Sequence, residues 1–75
     1  MEQYRNLTGN SGVKSYEIGA DYITIEFNDG AIYRYTHASA GKENVERMKG
    51  LARAGQGLST FVSTTVSKLY ERKEK

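Results

Sequence analysis

A chain of 75 residues has room for one small domain, and the absence of cysteine excludes disulfide bonds and cysteine-ligated metal sites. No apolar run approaches the roughly 18 residues of a membrane span, and no signal peptide opens the sequence, so we expect a soluble, cytoplasmic protein. The net charge of +2 is uneven, because residues 1–41 carry three basic and five acidic side chains, whereas residues 42–75 carry eight basic and four acidic ones. Such a basic half is typical of a surface for nucleic acid or an acidic partner, although interspersed acids also fit a solvated helix face.

The first twelve residues are rich in glycine, serine, threonine and asparagine. This composition predicts a flexible lead-in over residues 1–12. A single domain is predicted over residues 13–70. The charged residues 71–75 are expected to fray into solvent as a tail.

Three strands are predicted after the lead-in. The first covers residues 13–18, and a turn at residues 19–21 leads to the second, at residues 22–27. The second strand alternates strictly between apolar and polar residues, which is the pattern of a half-buried antiparallel strand; its apolar side chains are Ile23, Ile25 and Phe27. Asn28-Asp29-Gly30 tolerates the positive φ of a tight hairpin, so the third strand follows at residues 31–36.

Two tyrosines in the third strand share one face of the sheet. Tyr33 and Tyr35 are two positions apart, and side chains alternate along a strand. An outward Tyr face would form an aromatic surface on which nucleic-acid bases stack, but it would turn Arg34 inward. Because an unpaired buried charge is costly, we predict that both tyrosines belong to the core, with base stacking as the alternative.

Two helices are predicted in the second half of the chain. A loop at residues 36–42 contains His37 as a loop residue and Ser39 as a candidate cap. Apolar residues then recur at the helical period for about four turns; they are Val45, Met48, Leu51 and Ala52. Gly55-Gln56-Gly57 ends this helix. A second helix follows, because apolar positions 58, 61, 62, 66, 69 and 70 keep the helical period even though residues 61–66 have a strand-like composition.

These elements predict an α+β fold, with a three-stranded antiparallel β-meander packed against two C-terminal α-helices. The glycine-rich junction between the helices has two interpretations. A helix N-terminus there could bind phosphate through free backbone N–H groups. A plain helix–helix turn with Ser59 as N-cap is favoured, because neither a Walker lysine nor a preceding strand is present.

Three short motifs follow one another in the chain: Phe27-x-x-Gly30, Tyr33-x-Tyr35 and Gly55-x-Gly57-Leu58. Their order over residues 11–70 resembles the KTSC domain. That short module is named for its occurrence at the C-terminus of some lysyl-tRNA synthetases and is also found alone in bacterial and phage proteins. The stretch from Met48 to Val62 is similar to the stand-alone branch of the family. The resemblance implies this fold and, from the synthetase context, RNA binding.

The chain departs from that family after the aromatic strand. A Val-Pro pair often stands there, whereas this chain has His-Ala-Ser-Ala-Gly at residues 37–41. The family has no firmly assigned activity. The resemblance therefore predicts a fold and a class of ligand, and it assigns a structural role to Gly30, Tyr33, Tyr35, Gly55 and Gly57.

Two classes of function fit these observations. The first is a small non-catalytic module that binds nucleic acid, most simply RNA, through basic side chains; they are Arg34, Lys42, Arg47, Lys49, Arg53, Lys68 and Arg72. The alternative is a protein-interaction or homo-oligomerisation module with no nucleic-acid role, which would use exposed Tyr4, Tyr22 or Tyr70. No catalytic residue, metal or cofactor is expected, because His37 is the single histidine and Asp21 and Asp29 stand at turns.

Overall fold

The strands of the sheet lie side by side in chain order, and each is antiparallel to its neighbour. A computed structural model describes residues 1–7, 9 and 11–75. The fold is α+β, as the sequence predicts, but the sheet has five strands rather than three. The central three-stranded meander is the predicted one, and one short strand extends it at each edge. The strands are β1 (Glu2–Gln3), β2 (Val13–Ile18), β3 (Tyr22–Phe27), β4 (Ile32–Thr36) and β5 (Arg72–Lys73).

The helices follow the meander and cover one face of the sheet. A short helix and the main helix are separated by Gly41, whose φ of 92° lies in the left-handed region. A third helix continues into a π-helical turn over Val62–Val66. The helices are α1 (His37–Ala40), α2 (Lys42–Ala54) and α3 (Leu58–Phe61).

The core lies between the inner face of the meander and α2. In β3, Ile23 and Ile25 are completely buried, and their register partners in β4 are Tyr35 and Tyr33. Tyr35 is only 1% exposed, whereas Tyr33 is half-buried at the edge of the core. The predicted core role of the two tyrosines is therefore confirmed, with Tyr35 the more deeply buried. The helical side of the core is formed by Val45, Met48, Ala52, Leu58, Val62 and Val66.

The β3–β4 hairpin depends on Gly30. Its φ is 92°, a conformation that β-branched side chains resist, and its N–H donates to the Phe27 carbonyl at 2.9 Å. The Asp29 carboxylate accepts a bond from the Ala31 N–H at 3.0 Å. Asp29 thus has the backbone role that turn chemistry predicts.

The N-terminal lead-in is more ordered than we expected. Glu2 and Gln3 pair with Tyr16 and Ser15, and Tyr4 is only 3% exposed. A two-residue strand is too short to show alternation, which is why the composition of residues 1–12 predicted flexibility instead. Thr8 and Asn10, which belong to the same expectation, lie outside the described residues.

The charged tail also differs from the expectation, because it pairs with β4 instead of fraying. The Glu71 N–H donates to the Arg34 carbonyl at 2.6 Å, and the Glu74 N–H donates to the Ile32 carbonyl at 2.6 Å. Alternating charge is typical of solvated segments, but backbone hydrogen bonds do not depend on side-chain type. A charged edge strand also discourages further pairing with other chains.

The second helix is shorter than predicted. Regular α-helix covers only Leu58–Phe61, and helical structure ends at Val66, before Leu69 and Tyr70. The hydroxyls of Ser63 and Thr64 both bond to the Thr60 carbonyl, at 3.1 and 2.8 Å. This back-bonding, together with the β-branched composition, disfavours a regular helix.

Two predicted caps are also placed differently. Residues 37–40 form α1 rather than a loop, and Thr36 is its N-cap. Ser39 completes a capping box from inside α1: its N–H donates to Thr36 Oγ1 at 3.0 Å, and the Thr36 N–H donates to Ser39 Oγ at 3.0 Å. Ser59 likewise lies inside α3, where Gly57 occupies the cap position.

Candidate nucleic-acid interface

The exposed side of α2 carries three of the predicted basic residues. Lys42, Arg47 and Arg53 are exposed, and none of them forms an ion pair with a described carboxylate. Lys42 and Arg53 are eleven positions apart, which places them on the same side of the helix and roughly 16 Å apart along its axis. Arg47 projects from the intervening turn, about 140° around the helix from Lys42, and so lies on a different strip of the exposed surface. We call these three residues the α2 cations.

Lys49 does not join the α2 cations, because its side chain is buried against the sheet. The residue is only 5% exposed. Its Nζ donates to the Ala20 carbonyl at 3.1 Å and lies 2.8 Å from Glu46 Oε2. The sequence pattern placed Lys49 on the solvated side, but its aliphatic stem extends the apolar stripe and its amine caps the β2–β3 turn. Lys49 is therefore a structural residue in this fold.

Glu46 is shared between Lys49 and His37. Its Oε2 atom lies 2.8 Å from Lys49 Nζ and 2.8 Å from His37 Nε2. The hydrogen bond from Lys49, followed by that from His37, lowers the pKa of Glu46. His37 thus links α1 to α2 instead of standing free in a loop. This group fastens both helices to the turn after β2.

Arg34 and Arg72 lie on the other face of the sheet, away from α2. They are register partners in β4 and β5, and side chains of such partners point to the same face. The Arg34 guanidinium stacks over the Tyr22 ring at 4.3 Å, and its Nε is 3.4 Å from Glu74 Oε2. Arg72 Nη2 is 3.3 Å from the same carboxylate oxygen. Both guanidiniums are thus already paired within the chain.

Lys68 is exposed in the turn after the π-helical turn and forms no ion pair with a described carboxylate. The structure therefore separates the seven predicted basic residues into three groups. The α2 cations and Lys68 are exposed and have no carboxylate partner among the described residues, Arg34 and Arg72 are paired across the outer face, and Lys49 is buried.

An arginine outside the predicted basic set lines a cleft near the N-terminus. Arg5 and Arg53 flank a shallow cleft of about 660 Å³ between the N-terminal strand, β2 and the end of α2. The Arg5 stem packs over Gly55, so closely that a Cβ atom there would lie 2.6 Å from the Arg5 Cβ. No sequence period links residue 5 to residue 53. The pairing of β1 and the bond from the Leu7 N–H to the Gly55 carbonyl, at 2.8 Å, bring them together.

The carboxylates of this cleft already have partners. Tyr16 donates its hydroxyl to Glu2 at 3.0 Å, and Tyr22 donates to Glu17 at 2.9 Å. Burial, followed by the bond to Glu2, raises the pKa of Tyr16, while the charges of Arg5 and Arg53 oppose that shift. Arg5 therefore adds a further exposed cation beside Arg53.

The glycine junction favours a turn over a phosphate site. Gly55 and Gly57 have φ values of 76° and 82°, and the Gly55 N–H closes α2 onto the Leu51 and Ala52 carbonyls. At the start of α3 the Leu58 N–H donates to the Tyr4 hydroxyl at 3.4 Å. One of the N–H groups that a phosphate would use is therefore already bonded to the buried Tyr4.

The aromatic residues of the alternative function are mostly committed to packing. Tyr4 is buried, and Tyr22 packs so tightly over Gly19 that a side chain at Gly19 would collide with its ring. Tyr70 remains 38% exposed, and its ring centroid lies 4.8 Å from that of Tyr33 and 6.4 Å from that of Tyr35. Tyr70 therefore covers the face that base stacking on Tyr33 would require.

Within the part of the chain that the structure describes, no helix is long and apolar enough to cross a membrane. Comparisons of the chain with protein-family models, with curated proteins and with solved structures return no significant match.

Proposed function

We propose that this chain is a small non-catalytic binding module of the KTSC type, whose α2 cations contact the phosphate backbone of nucleic acid, most simply RNA. The observation that carries the proposal is that four of the seven predicted basic residues are exposed and have no described carboxylate partner, namely Lys42, Arg47, Arg53 and Lys68. When unpaired surface cations bind a polyanion, counterions of the polyanion are released, and this release favours binding. Arg5 adds to the same surface next to Arg53.

The same geometry favours contact with the nucleic-acid backbone over recognition of a base sequence. Tyr35 is buried and Tyr33 is covered by Tyr70, so these two rings are not free to stack bases. The remaining contacts are charged side chains, which fix position and carry no sequence information. Binding should therefore be weak, salt-sensitive and nearly independent of sequence.

A titration of nitrogen-15-labelled protein with a single-stranded RNA and with a duplex tests this proposal. The amide shifts should concentrate on the exposed side of α2 and near Lys68. The outer face of the sheet, around Arg34 and Thr24, should stay unchanged. Shifts confined to the outer face, or no shifts at low salt, would contradict the proposed interface.

A matched pair of variants sharpens the test. Arg47→Glu and Lys14→Glu each change the net charge by the same amount, and both side chains are exposed. Lys14 belongs to β2, at the irregularity between Val13 and Ser15, rather than to α2. Arg47→Glu should weaken binding more than Lys14→Glu does. Equal losses would mean that only net charge matters and that α2 is not the interface.

Self-association is the second candidate function, and one observation favours it. Leu69 and Tyr70 are 40% and 38% exposed, and they are adjacent in the segment that leads into β5. Two large apolar side chains next to a sheet edge offer a contact surface for another protein chain. This candidate needs no nucleic acid.

A further inference from the structure

The segment Tyr70–Lys75, here called the β5 segment, contacts the rest of the domain through a single strand, β4. Its backbone hydrogen bonds go to Ile32 and Arg34 of β4. Tyr70 packs on Tyr33 and Tyr35, Lys73 Nζ lies 5.7 Å from the centroid of the Tyr33 ring, and Glu74 pairs with Arg34. All these contacts fall on β4, so the segment can leave or join the sheet as a unit.

The connection to the β5 segment is weakly held. Residues 67–75 are all exposed. The turn at Ser67 and Lys68 follows the π-helical turn over Val62–Val66, a rare helical geometry that often marks functional positions. Because residues 61–66 combine strand-like composition with a helical conformation, this stretch has two competing local preferences. The exposed turn that follows this stretch, at Ser67 and Lys68, can therefore act as a hinge.

A vacated β4 would need a strand of particular chemistry to replace the β5 segment. The strand must place an aromatic ring on Tyr33 and Tyr35 and a carboxylate beside Arg34, with its backbone paired to Ile32 and Arg34. The β5 segment of another copy of this chain meets every one of these requirements. Exchange of an identical element between two copies is a low-cost route to a dimer, because each contact is remade.

We propose that two copies of this chain form a dimer by exchanging their β5 segments, so that β4 of each copy pairs with the β5 segment of the other. The inference rests on self-association, the second of the two candidate functions, and is independent of nucleic-acid binding. In the exchanged dimer the hinge at Ser67 and Lys68 extends between the two domains. The contacts of β4 are the same in the single chain and in the dimer.

Mixed isotope labelling of the wild-type chain tests the exchange directly. Carbon-13-labelled and unlabelled protein are unfolded and refolded together at high concentration, and light scattering identifies the dimer. The dimer should show intermolecular NOEs between the rings of Tyr33 and Tyr70, whose centroids are 4.8 Å apart. A chain that stays monomeric up to its solubility limit, or a dimer without these NOEs, would overturn the proposal.

A hinge deletion and one point variant give independent readouts. Removing Ser67 and Lys68 prevents the β5 segment from reaching its own β4, so the variant should be dimeric where the wild type is monomeric. Tyr70→Ala should leave the dimer fraction unchanged, because the Tyr70 contacts occur in both states. A monomeric deletion variant that retains the fold of residues 1–66 would contradict exchange. Loss of the dimer in Tyr70→Ala would show that ordinary surface packing, and not exchange, joins the copies.

Discussion

At the scale of single residues, Tyr35 and Tyr33 differ although they share one face of β4. Tyr35 is almost completely buried, and burial raises its pKa to about 12. Tyr33 lies at the margin, in contact with Phe27 at 5.9 Å and Tyr70 at 4.8 Å between ring centroids. The period-two spacing predicts the shared face, but it cannot tell which of two alternating residues lies deeper. Tyr33 is instead covered from the edge of the core by Phe27 and Tyr70, two contacts that no local pattern indicates.

Tyr35→Ala should destabilise the domain strongly. Truncation of a buried aromatic residue costs about 3–5 kcal/mol. The total free energy of unfolding expected for this length is about 4–11 kcal/mol, so much of the population could unfold. Tyr33→Ala should cost less, because Tyr33 is only partly buried. Thermal and urea unfolding of both variants checks the order, and the reverse order would contradict the deeper burial of Tyr35.

The hydrogen-bonded group of Glu46, Lys49 and His37 should make the free energy of unfolding depend on pH in the acidic range. The pKa of Glu46 is lowered in the folded state by Lys49 and His37. A carboxyl group with a lowered folded pKa stabilises the protein above its unfolded pKa, and that contribution is lost as pH falls through the folded value. The loss should therefore begin near the ordinary value of 4.5 and continue below it.

Glu46→Gln should remove this part of the acid dependence. Urea unfolding at a series of pH values below neutrality measures the difference between wild type and variant. Glu43→Gln is the matched control, since Glu43 is exposed on α2 and forms no ion pair within the described residues. If the two variants gave the same pH profile, the bonds from Lys49 and His37 to Glu46 would carry no stability.

At the scale of elements, the sequence predicts the central meander but not the two short edge strands, β1 and β5. Strict alternation predicts β3 at the observed bounds, and the spacing of Val45, Met48 and Ala52 predicts α2. β1 and β5 have two residues each, and their pairing depends on long-range backbone contacts. The second helix ends earlier than predicted because the hydroxyls of Ser63 and Thr64 bond to the Thr60 carbonyl and disfavour a regular helix. The apolar periodicity of the sequence does not indicate these bonds.

Gly30→Val should weaken folding more than Gly12→Val does. Gly30 has a φ of 92° in the β3–β4 hairpin, so valine there is strained even though a Cβ would meet no neighbour. Left-handed backbone costs about 1–2 kcal/mol for a residue with a Cβ, and β-branching adds to it. Gly12 has no positive φ, and a Cβ there would meet only Ser59 Oγ at 3.7 Å. Urea midpoints compare the two, and equal losses would mean that the hairpin tolerates the strain.

At the scale of the whole molecule, the basic half resolves into separate surfaces. The charge count predicts a basic surface but not its position, because burial of Lys49 and pairing of Arg34 and Arg72 depend on tertiary contacts. Of the seven predicted basic residues, the α2 cations and Lys68 are left without a described carboxylate partner, and Arg5 is exposed beside Arg53. The proposed interface is thus smaller than the sequence predicted and lies on the helical side of the domain.

The salt dependence of RNA binding tests the proposed interface most directly. Fluorescence anisotropy of a labelled single-stranded RNA, measured over a range of salt concentrations, should show affinity falling by a slope of about 0.7 per neutralised phosphate. Changing Lys42, Arg47 and Arg53 together to Glu should abolish binding or reduce the slope by roughly 2, with a nearly unchanged melting temperature because the three side chains are exposed. If the wild type fails to bind RNA or DNA at low salt, or if this variant binds as tightly as the wild type, the proposed interface is wrong.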